Sequence, residues 1–384
     1  MEGSFSRAAI RATLEGRTLR DIASVEEELE AEVGDTTSIR ELPRRTTESW
    51  AINATRGIMV LSVLGSHWSE GLFQRIGGAA IVEQLFAFFF RMGTPGFALV
   101  FGLGMGFFML SGFDKNRISV RKRLRSALVL VFLGLLLLGG TNTLYYSMVD
   151  IPHPDPFNNV LTFYVLFLLT SMMWLEFFTR LRNPVPWIIA TAILCWLLWW
   201  VARSNFGGPK LDSLLLEYPR LMIVASYSYF RLSAFVFIGM VIGYWLALHD
   251  DERRAAKAFM SGGVIGLAFS LVAGFEIYGA SVIAARSAPF FNSTLGAIFY
   301  ISIVLLFVGT AIRLISDWHR LPTLMQQILQ ILIVIGGLAL PIYAFHGIVI
   351  PIKGILVLTG WPGTLALLLP LSTFIVVISY AGWR

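Results

Sequence analysis

The first apolar segment of the chain carries an arginine near its start and a histidine near its end. Arg56 and His67 are 11 residues apart. In an α-helix that is about three turns, or roughly 16 Å along the axis, so both side chains share one face. Glu70 follows on that face and could fix the tautomer of the imidazole and raise its basicity. An imidazole titrates near neutral pH and suits general-base chemistry on a hydroxyl group. The spacing also fits an anchoring Arg56 and an interfacial His67, which is the better interpretation of an isolated pair.

A basic cluster follows the second apolar segment. It comprises Arg121, Lys122, Arg123 and Arg125. Arg and Lys pair with phosphate through charge-assisted hydrogen bonds, so the cluster is what an anionic cytosolic ligand would need. For any one of these residues, the general enrichment of Lys and Arg on cytoplasmic loops is an equally good explanation.

Three further polar side chains lie in or beside apolar segments. Ser111 lies in the ending Phe107–Phe113 of the second segment, whose glycines predict close helix packing. Tyr343 and His346 begin a late apolar segment and share a helix face. An ionisable residue at membrane depth is costly and is therefore a candidate for function. A packed, hydrogen-bonded core histidine is an equally good interpretation of His346.

The composition places these residues in a membrane protein. The 384 residues are 56% hydrophobic and 14% charged, against about 25% charged in a typical soluble domain. Several apolar runs approach the roughly 20 residues that a helix needs to cross a bilayer. The sequence therefore predicts an all-α fold, a polytopic transmembrane helical bundle, rather than a soluble enzyme.

About ten helices are predicted to span the membrane. The apolar runs cover 53–69, 94–113, 126–145, 158–178, 185–202, 230–248, 258–279, 294–315, 341–358 and 363–382. Two shorter apolar stretches, 79–91 and 324–337, contain Glu or Gln and are predicted to be interfacial or re-entrant helices. Either could be a further span, which would raise the count to about 11.

The charges between the spans predict the orientation. The basic residues are concentrated in the predicted loops 114–125, 179–184, 249–257 and 316–323, which all fall on one side. The opposite loop 146–157 contains two aspartates and no Lys or Arg. Because positively charged loops stay in the cytoplasm, we expect a multi-pass protein of the cell (inner) membrane with both termini cytoplasmic.

Residues 1–50 differ from the rest of the chain. They contain 11 acidic and 7 basic residues and carry −4, which leaves +10 on the other residues because the whole chain carries +6. We predict an acidic cytoplasmic N-terminal extension at 1–50, followed by the membrane domain at 51–384. A solvated helix is the simpler interpretation of the extension, and a docking arm for a protein partner is the alternative.

The sequence offers no motif for a metal ion, a disulfide or nucleic acid. Cys195 is the single cysteine, so an intrachain disulfide is excluded. The five histidines are scattered and do not have the spacing of a zinc site. The basic residues alternate with apolar spans, which argues against nucleic-acid binding. We therefore expect neither a metal nor a nucleic-acid partner.

Together these motifs resemble the acyltransferase-3 superfamily of membrane acyltransferases. That superfamily includes bacterial surface-polysaccharide O-acetyltransferases, glucan succinyltransferases and, more distantly, lysosomal heparan acetyltransferases. The family begins with an Arg-Gly pair and a catalytic His on the first span, matched by Arg56 and His67. Its Phe-Phe-x-x-Ser-Gly-Phe ending is matched by Phe107–Phe113, and its late Tyr-x-x-His by Tyr343 and His346. The matches occur in the family's order.

The resemblance implies a transferase that uses an acyl-CoA, in particular acetyl-CoA, from the cytoplasmic side. The implied acceptor is a hydroxyl of a glycan, such as a polysaccharide, or of a lipid-linked molecule. His67 would be the base or the acyl carrier, oriented by Glu70, and Arg56 would bind phosphate or pantetheine groups of the donor. The basic cluster would bind the nucleotide phosphates. The residues expected at the acyl group are Ser111, Tyr343 and His346. Direct transfer and an acyl-His67 intermediate both remain open.

The chain departs from the family pattern in several places. The family often has an Asp three residues before the arginine, where this chain has Asn53. An amide carbonyl can still hold a guanidinium, but the charge pairing is lost. The Glu-Arg-Pro that often follows the last span is absent from 380–384, and residues 94–97 are more similar to the heparan-acetyltransferase branch. The subfamily therefore stays open.

Two other classes of protein fit parts of the pattern. Inward-facing Arg, His and Glu side chains also line transporters and channels, although the paired halves common in transporters are not seen here. A non-catalytic membrane subunit, docked through residues 1–50, is the third hypothesis. Binding or hydrolysis of labelled acetyl-CoA would separate the enzyme from both.

Overall fold

Helices account for all regular secondary structure in the part of the chain that the structure describes. The computed structural model describes residues 46–76, 92–149, 159–206, 228–249, 251–279 and 289–362, and the single residues 223, 282 and 372. Most of the predicted extension 1–50, the stretch 79–91 and nearly all of the predicted last span 363–382 lie outside these residues.

The helices are numbered in chain order. They are α1 (Thr46–Ile76), α2 (Gly93–Gly104), α3 (Phe113–Met148), α4 (Val160–Thr179), α5 (Pro184–Phe206), α6 (Tyr229–Leu248), α7 (Glu252–Tyr278), α8 (Thr294–Ser316), α9 (Thr323–Gly337), α10 (Ala339–Phe345) and α11 (Val349–Leu358). A π-helical segment, Met105–Leu110, continues α2, and 3₁₀ segments lie at Pro289–Asn292, Trp318–Arg320 and His346–Ile348.

Eight stretches of helix among the described residues are long and apolar enough to cross a membrane. They are Gly93–Leu110, Asn116–Met148, Val160–Thr179, Pro184–Asn205, Tyr229–Leu248, Glu252–Tyr278, Thr294–Ser316 and Ala339–Leu358. Each corresponds to one of the predicted spans. The prediction of an all-α polytopic bundle is therefore confirmed, and the protein is a multi-pass membrane protein. The predicted span 53–69 lies within α1, which is 31 residues long and is not among these eight.

The predicted loop 114–125 is wrong, because the backbone there is helical. α3 begins at Phe113 and continues through the basic cluster into its apolar part, with a single non-helical residue at Asn116 (φ −129°, ψ 27°). Arg, Lys and Leu favour helices, so a basic stretch can extend a membrane helix beyond the bilayer. The predicted loop 249–257 is likewise shorter, since α7 starts at Glu252 and Asp251 caps it by accepting from the Arg254 N–H.

Glycines bring α2 and α6 into direct backbone contact. A Cβ added at Gly102 or Gly106 would overlap a carbonyl oxygen of α6, and one added at Gly239 or Gly243 would overlap a carbonyl oxygen of α2. Small residues let helix backbones approach closely in a membrane, where van der Waals packing drives association. The predicted close packing is therefore confirmed for Gly102 and Gly106. The order of these contacts also shows that α2 and α6 run parallel.

The helices alternate in direction, which gives the bundle two distinct ends. Arg117, near the start of α3, pairs with Glu176 near the end of α4 at 2.5 Å. Ser316, at the end of α8, donates to Glu252 at the start of α7. We call the end that holds Arg117 and the basic cluster the basic end, and the opposite one the far end.

The short helix α9 crosses α1 in backbone contact. A Cβ at Gly57 would overlap the Leu332 carbonyl oxygen, and one at Gly336 would overlap the Asn53 carbonyl oxygen. The 15 residues of α9 reach about 22 Å, which is short of the roughly 30 Å hydrocarbon core. Its length therefore fits the predicted interfacial or re-entrant helix at 324–337.

Candidate functional site

Arg56 is half-buried, and side chains and backbone of two helices contact it. Its Nη1 donates to Asn53 Oδ1 at 3.2 Å, one turn earlier on α1. Its guanidinium carbon lies 5.7 Å from the centre of the Phe108 ring, a distance typical of a cation–π contact. The amide of Asn53 thus holds the guanidinium in the way expected when it replaces the family's aspartate.

Gly104 provides the space for this guanidinium. A Cβ at residue 104 would overlap Nη2 of Arg56, so a larger residue would push the side chain away. Gly104 therefore differs from Gly102 and Gly106, whose missing side chains admit α6. The sequence predicted helix packing for all of them, whereas Gly104 faces a candidate site residue.

The π-helical segment follows directly after Gly104. Its wider turn shifts the positions of the following side chains, and such segments are frequent at functional sites. Phe108 lies in this segment and packs edge-on against Phe107, with ring centroids 4.9 Å apart. Ser111 follows the segment, is exposed, and donates its hydroxyl to the Phe107 carbonyl.

Tyr343 and His346 lie together in the core. His346 is 5% exposed and Tyr343 is 1% exposed. His346 Nδ1 lies 2.7 Å from the Tyr343 carbonyl oxygen. Since a carbonyl can only accept, Nδ1 carries the proton of the neutral ring and Nε2 carries its lone pair. The Tyr343 ring stacks on Phe97 with centroids 4.1 Å apart.

Contacts between α1 and α2 show how these groups are arranged along the bundle. α2 runs antiparallel to α1, because Gly104 meets Arg56 and Gly93 meets Val63. Phe97, whose ring stacks on that of Tyr343, lies between these two contacts along α2. Tyr343 therefore lies between the level of Arg56 and that of Val63. The backbone of His67 follows Val63 by one turn of the same helix.

His67 and Glu70 lie on α1, in one uninterrupted helix with Arg56. The predicted separation of roughly 16 Å along the axis follows directly from that continuity. Their side chains lie outside the described part of the structure, so their roles stay predictions.

The basic cluster lies on the first turns of α3. Arg121, Lys122 and Arg125 are exposed, and Arg123 is half-buried. The cluster follows Phe108 and Ser111 along the chain and marks the basic end of the bundle. The cluster lies at the end of the bundle toward which α2 runs.

Sequence reasoning missed a buried arginine at the far end. Arg231 is 5% exposed, donates to the Phe291 carbonyl at 3.0 Å, and lies 5.2 Å from the centre of the Trp199 ring. Arg203 approaches the same indole at 5.4 Å. The signal was present in the sequence, because Arg231 falls inside the predicted span 230–248. Through these contacts, Arg231 at the start of α6 links α5 and the segment before α8.

A buried tyrosine, Tyr164, was also missed. It lies on α4 with its ring 5.4 Å from that of Tyr343, edge to face. A tyrosine in an apolar span is unremarkable in a sequence, so only the neighbours brought together by the fold draw attention to it.

Within the described ranges, no group of three or more His, Cys, Asp or Glu side chains could hold a metal ion. Cys195 is free and buried. Among the side chains that the structure describes, the candidate site comprises Arg56, the Tyr343–His346 pair and the basic cluster.

Comparison with known proteins identifies a family. A family model of the acyltransferase-3 type, described as an acyltransferase domain, matches residues 49–384. No curated protein and no solved structure matches the chain.

Proposed function

The chain belongs to the acyltransferase-3 family, and from this we propose that it transfers an acyl group from acyl-CoA to a hydroxyl group. The donor, in particular acetyl-CoA, would enter from the cytoplasm, and the acceptor would be a glycan or a lipid-linked molecule. The observation that supports the proposal is the position of the Arg56 guanidinium, which contacts Asn53, Gly104 and Phe108. This places a half-buried guanidinium on the same helix as His67.

The donor would approach through the basic end, which we infer to be cytoplasmic. Arg121, Lys122, Arg123 and Arg125 supply charges for the nucleotide phosphates. Arg56 lies deeper and would contact the phosphate or pantetheine part. A thioester beyond it would then lie toward the level of Tyr343.

The chemistry is an acyl exchange between sulfur and oxygen. In direct transfer, His67 takes the proton of the acceptor hydroxyl as the oxygen attacks the thioester carbonyl carbon. The C–S bond breaks, and the proton passes to the departing sulfur, which gives an ester and the free thiol of the coenzyme. A base is needed because a protonated hydroxyl is a weak nucleophile. In the two-step alternative, His67 carries the acyl group between donor and acceptor.

His346 and Tyr343 would act at the reacting carbonyl. The Tyr343 carbonyl engages His346 Nδ1, so a hydrogen bond from this ring to the thioester oxygen would require the imidazolium form. The Tyr343 hydroxyl is a donor in either state.

The proposal predicts that His67→Ala folds but transfers no acyl group. The purified protein would be incubated with radiolabelled acetyl-CoA in lipid nanodiscs, and transfer and thioester hydrolysis would be measured. His319→Ala is a matched control, because His319 is exposed on the short 3₁₀ segment after α8. We expect loss of at least about 100-fold for His67→Ala, the range of general acid–base contributions, and no loss for the control.

Two outcomes would contradict the proposal. Full transfer by His67→Ala would remove that residue from the chemistry. A folded wild-type protein that neither binds nor hydrolyses acetyl-CoA would favour a transporter or a non-catalytic subunit. Protein-bound label that acid releases, and that is absent from His67→Ala, would identify the acyl-His67 route.

A further inference from the structure

Tyr164 lies where three parts of the bundle meet. Its ring is edge-on to Phe97 and Phe101 of α2, at centroid distances of 5.8 and 5.4 Å. It is also edge-on to Tyr343 of α10, at 5.4 Å. Tyr343 in turn packs against His346, with centroids 5.5 Å apart. The ring of Tyr164 is therefore part of the wall around the Tyr343–His346 pair.

The hydroxyl of Tyr164 is buried without a hydrogen-bond partner in the described part of the chain. The residue is 0% exposed, and its oxygen is sealed from solvent. Water cannot satisfy a group that it does not reach. A buried polar group left unsatisfied costs free energy, and such groups call for an explanation in a native fold.

A neighbouring tyrosine shows what a structural hydroxyl looks like in this region. The ring of Tyr229 packs against two phenylalanines of α4, with centroids 6.2 Å from Phe163 and 6.5 Å from Phe167. Its hydroxyl lies 2.8 Å from Thr170 Oγ1 and is therefore satisfied. Phe163 and Phe167 of the same helix pack against their neighbours without a hydroxyl.

We propose that Tyr164 contacts the substrate, and that its hydroxyl donates a hydrogen bond to the carbonyl oxygen of the acyl thioester. This inference rests on the proposed function. A thioester carbonyl is an acceptor without a donor of its own, so it complements an unused O–H. Its oxygen gains negative charge as the acceptor attacks, and a pre-positioned donor stabilises that charge. Tyr164 joins no bond-making step and keeps its proton.

The location of Tyr164 supports this role. Its neighbour Phe97 lies between the contacts that Arg56 and Val63 make with α2. The hydroxyl therefore belongs to a level between the proposed coenzyme contact, Arg56, and the proposed base, His67. The acyl group would have to reach that level for transfer. Because neighbouring side chains seal the oxygen from solvent, the stacked rings of Phe97 and Tyr343 would part when the donor enters.

The test compares Tyr164→Phe with Tyr229→Phe in the full-length protein in nanodiscs. Dissociation constants for acetyl-CoA and for CoA would be measured by calorimetry, together with the thermal unfolding midpoint. CoA lacks the acyl carbonyl. For Tyr164→Phe we expect acetyl-CoA binding weakened about 3- to 10-fold, the value of one net hydrogen bond. CoA binding should be unchanged, and the midpoint unchanged or raised. For Tyr229→Phe we expect a lowered midpoint and unchanged binding of both.

The outcomes separate this inference from the function on which it rests. Unchanged acetyl-CoA binding in Tyr164→Phe, equal weakening of acetyl-CoA and CoA, or a midpoint lowered as in Tyr229→Phe would each overturn the role of the Tyr164 hydroxyl. A wild-type protein that binds neither acetyl-CoA nor CoA would instead overturn the proposed function.

Discussion

At the scale of single residues, the contacts of Arg56 with Asn53, Gly104 and Phe108 all involve uncharged groups. They position the guanidinium beside the π-helical segment. An aspartate at position 53 would add a negative charge beside it.

Gly104→Ala is expected to displace Arg56 and weaken acyl-CoA binding. The added methyl group would overlap Nη2 of Arg56. A lost hydrogen bond to a charged group is worth about 1.5–3 kcal/mol, which is roughly 10- to 100-fold in the dissociation constant of acetyl-CoA. The measurement is calorimetric titration of both variants with acetyl-CoA.

Gly140→Ala is the control for this substitution. No atom lies within 4 Å of a Cβ at that position, so its binding should equal that of the wild type. If Gly104→Ala also bound normally, Arg56 would not be a coenzyme contact.

The sequence drew attention to Arg56, because an ionisable residue in an apolar run is costly, yet the same signal at Arg231 was missed. The sequence was sufficient to pair Tyr343 with His346, since they share a helix face. It could not identify Tyr164 or the special place of Gly104. Both depend on which helices are neighbours, and helix periodicity carries no information about neighbours.

At the scale of helices, α2 is the element around which the site is organised. One face packs on α6 through glycines, and another receives Arg56 of α1 and the Tyr343 ring of α10. The π-helical segment then continues toward the basic end. The glycine pattern predicted close packing, but which glycine meets which helix follows only from the fold.

Gly239→Ala is expected to destabilise the bundle. Its methyl group would overlap the Leu99 carbonyl oxygen, and overpacking typically costs about 1–3 kcal/mol. Gly262→Ala on α7 has nothing within 4 Å and should be neutral or gain up to about 1 kcal/mol of helix propensity. Unfolding in nanodiscs, followed by tryptophan fluorescence, would show the difference. Equal stability of the two variants would contradict the packing of α2 on α6.

At the scale of the whole molecule, the apolar runs predicted the bundle because bilayer thickness fixes the length of a span. The loop at 114–125 was misjudged for a related reason. Hydropathy marks where the apolar part of a helix ends, whereas the helix itself ends only where its backbone is no longer helical. α3 continues through the basic cluster, so the charge pattern did not mark the helix boundary.

The orientation can be tested with single cysteines. Cys195, the one native cysteine, would be replaced by Ala, and Arg125→Cys and Ser204→Cys would be introduced separately. Both positions are exposed, the first at the basic end and the second at the far end. In intact cells a membrane-impermeant maleimide should label only the Ser204→Cys protein, since positive ends stay cytoplasmic. Labelling of only the Arg125→Cys protein would show that the orientation is opposite to the one predicted.

The aromatic wall formed by Phe97, Tyr164 and Tyr343 has a consequence for biosynthesis. Its three rings come from distant stretches of the chain, and Tyr343 is made 179 residues after Tyr164. Helices enter the membrane in the order in which the ribosome makes them. The wall therefore stays open on one side while α5 to α9 are inserted. A nascent chain can place Arg56 and His67 early, but the aromatic wall is complete only when α10 arrives.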